Sequence, residues 1–163
     1  MEFYIRYMNF PQLNLPLHPL ELGKKNDQVF IRDVVQGQWR KYQPEEYVRQ
    51  QLLQHLIVDL QFPKGLISVE KGLLVNGLKK RYDAVVYNNQ QPLLLIECKA
   101  PQVPIKQGVF DQAARYNLEL NVPFFLLSNG MQQVFCRMDF EAKNYQFLPR
   151  IPSYSELKLL GQG

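Results

Sequence analysis

The run Leu93-Leu94-Leu95-Ile96, which opens the stretch LLLIECKAP, constrains the fold of this chain more than any other feature. Four consecutive aliphatic residues cannot alternate between core and solvent, so a strand made from them is buried on both faces and needs cover on each. The strand ends in Glu97, Cys98 and Lys99. Side chains alternate along a strand, so Glu97 and Lys99 share one face and Cys98 takes the other. A buried strand therefore carries a carboxylate and an ammonium at its tip.

The segments around it supply the cover. PEEYVRQQLLQHLIVDL places Pro44 at a first helical position, two acids in the first turn, and apolar residues at Val48, Leu52, Leu53, Leu56 and Leu60, which predicts a helix. GLISVEKGLLV and KKRYDAVVY read as strands joined through Asn76-Gly77-Leu78, an Asn-Gly hairpin signal. NNQQP turns the chain into LLLIECKA, giving a three-strand meander. After Pro101 and Pro104, IKQGVFDQAARYNLELN predicts a second helix, with Val109, Ala113, Tyr116 and Leu120 as its apolar stripe. PFFLLSN, a GMQQ turn and VFCRMDF form a further strand pair. The expected class is α/β, a mixed central sheet flanked by helices, in a single domain over 1–163. Within it, residues 1–43 form an irregular arm with one edge hairpin around QVFIRDVV, 44–140 the core, and 141–163 a loose tail.

Composition narrows the function classes. With 163 residues, 46% of them hydrophobic, the chain can build its own core and bury roughly 70% of its unfolded surface. A net charge of +4 permits a polyanionic partner without forming a dense basic patch. The two cysteines, Cys98 and Cys136, form no CxxC or Cys/His cluster, so no disulfide framework or zinc site is indicated and a reducing cytoplasm fits best. No run of 18 apolar residues and no basic-then-apolar leader occurs, so neither membrane insertion nor secretion is expected. His18 and His55 lie far apart in sequence, which argues against a catalytic histidine.

The chemistry gathers at the hairpin. With NNQQP as a five-residue loop, Tyr87 pairs with Leu93 and Asp83 falls opposite Glu97. Like charges facing across a ladder are destabilising, so the pair calls for a cation, either Lys99 or a metal ion. Hard oxygen donors favour Mg2+ (or Mn2+), commonly held by one or two carboxylates plus substrate phosphate. On the second helix, Gln112 and Tyr116 lie four residues apart on one face. On the first, a helical wheel sets Glu45 about 30° from the centre of the apolar face and Glu46 about 70° from it. Glu45 thus points inward more directly; it is either a charge favouring the first turn, with Arg49 to pair with, or a carboxylate near the metal. Lys79, Lys80 and Arg81 either meet the phosphates of a polyanionic partner or form a solvated turn.

Taken in order, YQPEEYVRQQLLQHLI, KKRYDAVVY, PLLLIECKAP, FDQAARYN and PFFLLSNG, spread from about residue 42 to 130, resemble the PD-(D/E)xK nuclease superfamily, and specifically the N-terminal nuclease domain of the restriction subunit of type I restriction enzymes. The resemblance implies a restriction-endonuclease-like core of order α-β-β-β-α-β and Mg2+-dependent cleavage of DNA phosphodiesters. It implies Asp83 and Glu97 as metal-binding carboxylates; metal chemistry adds the backbone carbonyl of Cys98, and the helical wheel adds Glu45. It implies Lys99 as the catalytic lysine, and Gln112 and Tyr116 as the QxxxY motif that orients it or the phosphate backbone. Tyr82 stands where the nominal proline precedes the aspartate. DNA and other restriction-system subunits are the implied partners. No GxxxxGK[ST] stretch is present, so cleavage is expected to be independent of ATP unless a partner supplies the motor. The competing expectations are a DNA- or protein-binding module of the same fold with hydrolysis lost, and a nuclease for structured RNA.

Overall fold

The computed structural model describes residues 9–75 and 77–163, and the side chains of Val75, Leu78 and Tyr116 lie outside that description together with the first eight residues and Asn76. After an irregular stretch, β1 (Leu22–Lys25), β2 (Gln28–Arg32) and β3 (Trp39–Lys41) form an antiparallel sheet of their own. The arm is therefore more ordered than one edge hairpin. The core follows as α1 (Pro44–Gln54), β4 (Ile67–Val75), β5 (Leu78–Asn88), β6 (Gln91–Cys98), α2 (Gln107–Glu119), β7 (Phe124–Ser128), β8 (Gln133–Asp139), β9 (Asn144–Leu148) and α3 (Tyr154–Gly161).

Strands β4 to β9 pair in sequence order in one sheet, antiparallel throughout except for the parallel pair β6/β7. A parallel pair needs a long crossover, and α2 provides it. The aliphatic run explains the layering. Leu94 and Ile96 enter the cluster that contains Val48, Leu52, Leu53 and Leu56 of α1, Ile31 of β2 and Leu157 of α3, whereas Leu95 enters the cluster with Phe110 and Ala114 of α2. Both faces of β6 are thus covered, and each fully buried aliphatic side chain contributes about 1.5–3 kcal/mol.

Helix α1 starts as its sequence dictates, with Pro44 in the first turn followed by Glu45 and Glu46. It does not run on as an α-helix to Leu60: residues His55–Asp59 form a π turn in which the Leu60 N–H donates to the His55 carbonyl at 3.2 Å. Helix α2 faces differently from its apolar periodicity. Phe110, Ala114 and Asn117 are buried, while Val109 is 49% exposed, so the inward stripe is rotated by about one residue from Val109/Ala113. The aromatic ring decides this, because Phe110 packs against Phe125 of β7, Tyr145 and Phe147.

Gly130, in the β7–β8 loop, accepts from the Asn14 N–H at 2.8 Å and has φ +82°; a Cβ there would lie 2.7 Å from Leu13 and 3.0 Å from Val48. The arm thus closes over this loop, and only glycine leaves the space.

The tail is not loose. Strand β9 pairs with β8, and α3 begins with a reciprocal cap: the Ser153 hydroxyl accepts from the Glu156 N–H, and the Glu156 carboxylate accepts from the Ser153 N–H at 2.8 Å. Tyr154 donates its hydroxyl proton to the Tyr87 carbonyl at 2.9 Å, and Leu157 is fully buried. Leu157→Ala is therefore expected to cost about 2–5 kcal/mol in urea melts; a loose tail would show almost no change.

Candidate active site where β5 meets the end of β6

Asp83 sits where β5 departs from regular geometry. Residues two apart on a strand share a face, yet Tyr82 belongs to the α2 side and Ala84 to the α1 side. The ladder to β4 pairs Val69 with Ala84 and Lys71 with Tyr82; between those pairs Glu70 takes φ +53°, the left-handed region. At this irregularity, in the middle of β5, the Asp83 carboxylate meets the end of β6, where its Oδ2 accepts from the Cys98 N–H at 2.6 Å.

The hairpin register was reached by an indirect route. Ala84 pairs with Ile96, Val85 with Leu95 and Val86 with Leu94, as the five-residue loop predicts, but Tyr87 pairs with Pro92 and Asn88 with Gln91. The loop is only Asn89-Gln90, with Asn89 at φ +54°, and an irregularity between Val86 and Tyr87 leaves Leu93 over. The shorter loop and the extra residue cancel, so the register toward Asp83 and Glu97 is kept.

Burial holds the Asp83 carboxyl above its usual pKa, and the nearby charges of Glu45 and Glu97 push in the same direction, against the Cys98 N–H and the Arg49 guanidinium. An acid in that condition favours a cation. The Cys98 thiol is pushed well up, first by burial and then by the Asp83 charge, so it is no nucleophile. Its side chain points to the α1 core, opposite Glu97.

Glu97 and Lys99 open instead toward α2. Together with Lys79, Lys80, Val109, Gln112 and Ala113 they line a hollow of about 400 Å³. The exposed Val109 of α2 thus faces this hollow, while the half-buried Ala113 lines it and also packs against the core on the α2 side. Lys80 Nζ lies 3.1 Å from Glu97, and the Lys99 N–H donates to the Ser128 carbonyl at 2.8 Å, extending the β6/β7 ladder by one bond. Gln112 is exposed on α2 at the rim of the hollow; the Tyr116 side chain lies outside the described residues. The carboxylates of Asp83, Glu97 and Glu45 do not all come within 4.8 Å of one another.

At α1 the roles of the two acids are exchanged relative to the helical wheel. Glu45 is exposed, though its charge acts on Asp83. Glu46 turns inward because Arg49 and Gln50 hold it: both Glu46 oxygens accept from Arg49 Nη2 at 2.8 Å, and Gln50 Nε2 donates at 2.7 Å. Arg49 pairs with Glu46, not with Glu45. It also approaches Asp33 and Glu70 at 3.7 Å, and Arg40 bridges those two acids at 2.7 and 3.0 Å. This ion network behind Asp83 was hidden because Asp33 and Arg40 come from the arm; the Glu46/Arg49 spacing of three was its one visible sign. Tyr82, in the nominal proline position, is buried and donates to Asn117 Oδ1 at 2.7 Å, fastening β5 to α2.

No curated protein matches the chain in sequence. Among solved structures, a fragment described as an HsdR subunit of a type I restriction enzyme from Vibrio vulnificus YJ016 is similar, with 21% identity and a TM-score of 0.50 over 71% of this chain; the match covers 24% of that chain, so the present chain corresponds to about a quarter of it. At that identity the likeness concerns the fold. Residues 44–152, about two thirds of the chain and spanning α1 to β9, match the family described as the type I restriction enzyme R protein N terminus. The chain belongs to that family.

Proposed function

We propose that the chain is a Mg2+-dependent DNA endonuclease domain that hydrolyses phosphodiester bonds. The observation that carries this reading is the convergence, where the middle of β5 meets the end of β6, of a half-buried acid whose Oδ2 accepts from the Cys98 N–H and whose pKa is raised above its usual value, with a second carboxylate and a lysine on the open side. The order α1-β4-β5-β6-α2-β7 supports a restriction-endonuclease-like core, and membership of the family supports the substrate class. The donor set, carboxylate and carbonyl oxygens without nitrogen or sulfur, fits a hard cation.

Asp83, Glu97 and the Cys98 carbonyl would hold Mg2+ or Mn2+, with Glu45 as a further carboxylate from α1. The ion supplies positive charge at the scissile phosphate and makes a water more acidic. Lys99 orients the attacking water or takes its proton, or pairs with the phosphate. Gln112, at the rim of the hollow, positions Lys99 or the nucleic-acid backbone, and Tyr116 is proposed beside it. Lys79, Lys80 and Arg81 meet flanking phosphates. DNA and other subunits of a restriction system are the partners this reading implies. Two buried free cysteines fit a cytoplasmic setting, and no described helix is long and apolar enough to cross a membrane.

The test is cleavage of plasmid and single-stranded DNA with Mg2+ or Mn2+, comparing wild type with Asp83→Asn. Cleavage that survives the substitution overturns the site. One observation favours a second reading, a DNA- or protein-binding module without turnover: Lys80 already neutralises Glu97. Lys80→Ala separates the two. In a nuclease it frees Glu97, so the rise in melting temperature with Mg2+ alone is expected to grow even though a phosphate contact is lost. In a binding module the variant loses duplex affinity and shows no metal-dependent shift.

A further inference from the structure

We propose that His18, His55 and Asp59 form a binding site for a borderline divalent metal ion of the Zn2+ type, which fastens the N-terminal arm to the C-terminal end of α1. Nothing in the proposed cleavage chemistry uses these residues. Thirty-seven positions separate the two histidines, yet His18 Nε2 and His55 Nδ1 both lie 2.7 Å from the same atom, Asp59 Oδ2. Among the described residues this is the one group of three such side chains whose ligand atoms all fall within 4.8 Å of one another. Two imidazoles and one carboxylate make a donor set that suits Zn2+ and leaves a coordination position for water.

The surroundings hold the three side chains in place. His55 and Asp59 occupy the two ends of the π turn, a widened helical turn of a kind that recurs at functional sites. His18 lies on the irregular arm, which has no repeating ladder to place it. Instead the Gln51 side chain, buried on α1, grips its backbone from both directions: Oε1 accepts from the His18 N–H at 2.9 Å, and Nε2 donates to the His18 carbonyl at 3.0 Å. The three side chains are 16–34% exposed, sheltered but open to an ion from solvent.

The step from hydrogen bonds to coordination is small. Each imidazole now points a nitrogen at Asp59. In a neutral imidazole, moving the ring proton to the other nitrogen turns that atom into a lone-pair donor. Ligand atoms about 2.0–2.1 Å from a tetrahedral ion lie about 3.3 Å apart, so the 2.7 Å contacts need to open by only about 0.6 Å. The site is separate from the candidate cleavage site. Glu45 and His55 are ten residues apart on α1 and the turn that follows, about 15 Å along the axis, and the donor sets select different ions.

Titration of the chelator-treated full chain with Co2+, and with Zn2+ against a chromophoric chelator, tests this. Wild type is expected to take up one ion per chain, with visible ligand-field absorption for Co2+ that excess Mg2+ does not remove. Uptake is expected to persist in Asp83→Ala and to vanish in His55→Gln and Asp59→Asn, each checked for folding by far-UV circular dichroism. His18→Asn, on the arm, gives a variant less exposed to folding defects and is expected to weaken uptake as well. Limited trypsin digestion at Lys24 and Lys25 is expected to slow several-fold when Zn2+ is added. No uptake by wild type, or full uptake by His18→Asn and His55→Gln, overturns the site. Uptake without protection of the arm overturns its fastening role. Loss of DNA cleavage with Zn2+ uptake intact would bear on the proposed nuclease alone.

Discussion

Lys99→Ala is expected to slow Mg2+-dependent DNA cleavage by about 10²–10⁴-fold, the range for losing a positioned proton-transfer group, while changing stability by no more than about 0.5 kcal/mol. The separation follows from where Lys99 keeps its structural and chemical parts. Its backbone N–H holds the ladder bond to Ser128, which alanine retains, and its side chain lines the open hollow with Lys79, Lys80 and Glu97. Asp83→Asn should abolish cleavage for a different reason and leaves a different trace. An asparagine oxygen can still accept from the Cys98 N–H, but the charge that burial and Glu45 and Glu97 disfavour is gone. Because the folded-state pKa of Asp83 lies above its unfolded value, the folded state holds this proton more tightly. Wild type therefore loses stability as pH rises from below 3.8 through the folded pKa, and Asp83→Asn lacks that loss. Thermal melts of both proteins across this window check the sign. A wild type that gains stability relative to the variant as pH rises would mean that Asp83 is structurally paired rather than held for a cation.

Much of this site was legible because it rests on local rules. The Leu93–Ile96 run demanded cover on both faces, and Leu95 does face α2 while Leu94 and Ile96 face α1. Strand alternation alone puts Glu97 and Lys99 toward one hollow and Cys98 into the opposite core. What the sequence did not reveal depends on long-range packing. Periodicity on α2 favoured Val109, but the bulk of Phe110 and its aromatic neighbours turned the helix. At Asp83 the strand breaks alternation, with Glu70 opposite in a left-handed conformation that no residue type announces. The tail carried its signal in plain view, a serine three residues before a glutamate at Ser153 and Glu156, but its value depended on Leu157 finding a core. The arm residues Asp33, Arg40 and His18 were beyond reach because their partners lie on α1, β4 and the π turn.

The largest stability effect is expected at that arm. Asp33 has no exposed side-chain surface and gathers Val35 and Gln36 N–H groups at 2.9 Å, Arg40 Nε at 2.7 Å and Gln50 Nε2 at 3.3 Å, with Arg49 at 3.7 Å. Burial raises its pKa, but the two backbone N–H groups and Arg40 outweigh burial, and the net shift is downward. Its contribution to stability is therefore present above the unfolded value near 3.8 and is lost as pH falls through the lower folded value. Asp33→Ala removes every one of these acceptors and leaves the 5%-exposed Arg49 with Glu46 as its close partner. Breaking a buried pair from one side costs about 3–5 kcal/mol, and the loss should appear in urea melts at pH 7 and shrink toward pH 3. Removing both charges is the sharper measurement, since replacing a buried ion pair with neutral groups is often close to neutral. The double variant Asp33→Asn/Arg49→Met is expected to be less destabilised than the sum of its single variants, by about 0.5–3 kcal/mol. Strict additivity would mean that the 3.7 Å approach of Arg49 to Asp33 carries no energy. Arg49 would then serve Glu46 and the candidate site alone, and Arg49→Met would act mainly by lifting the Asp83 pKa further.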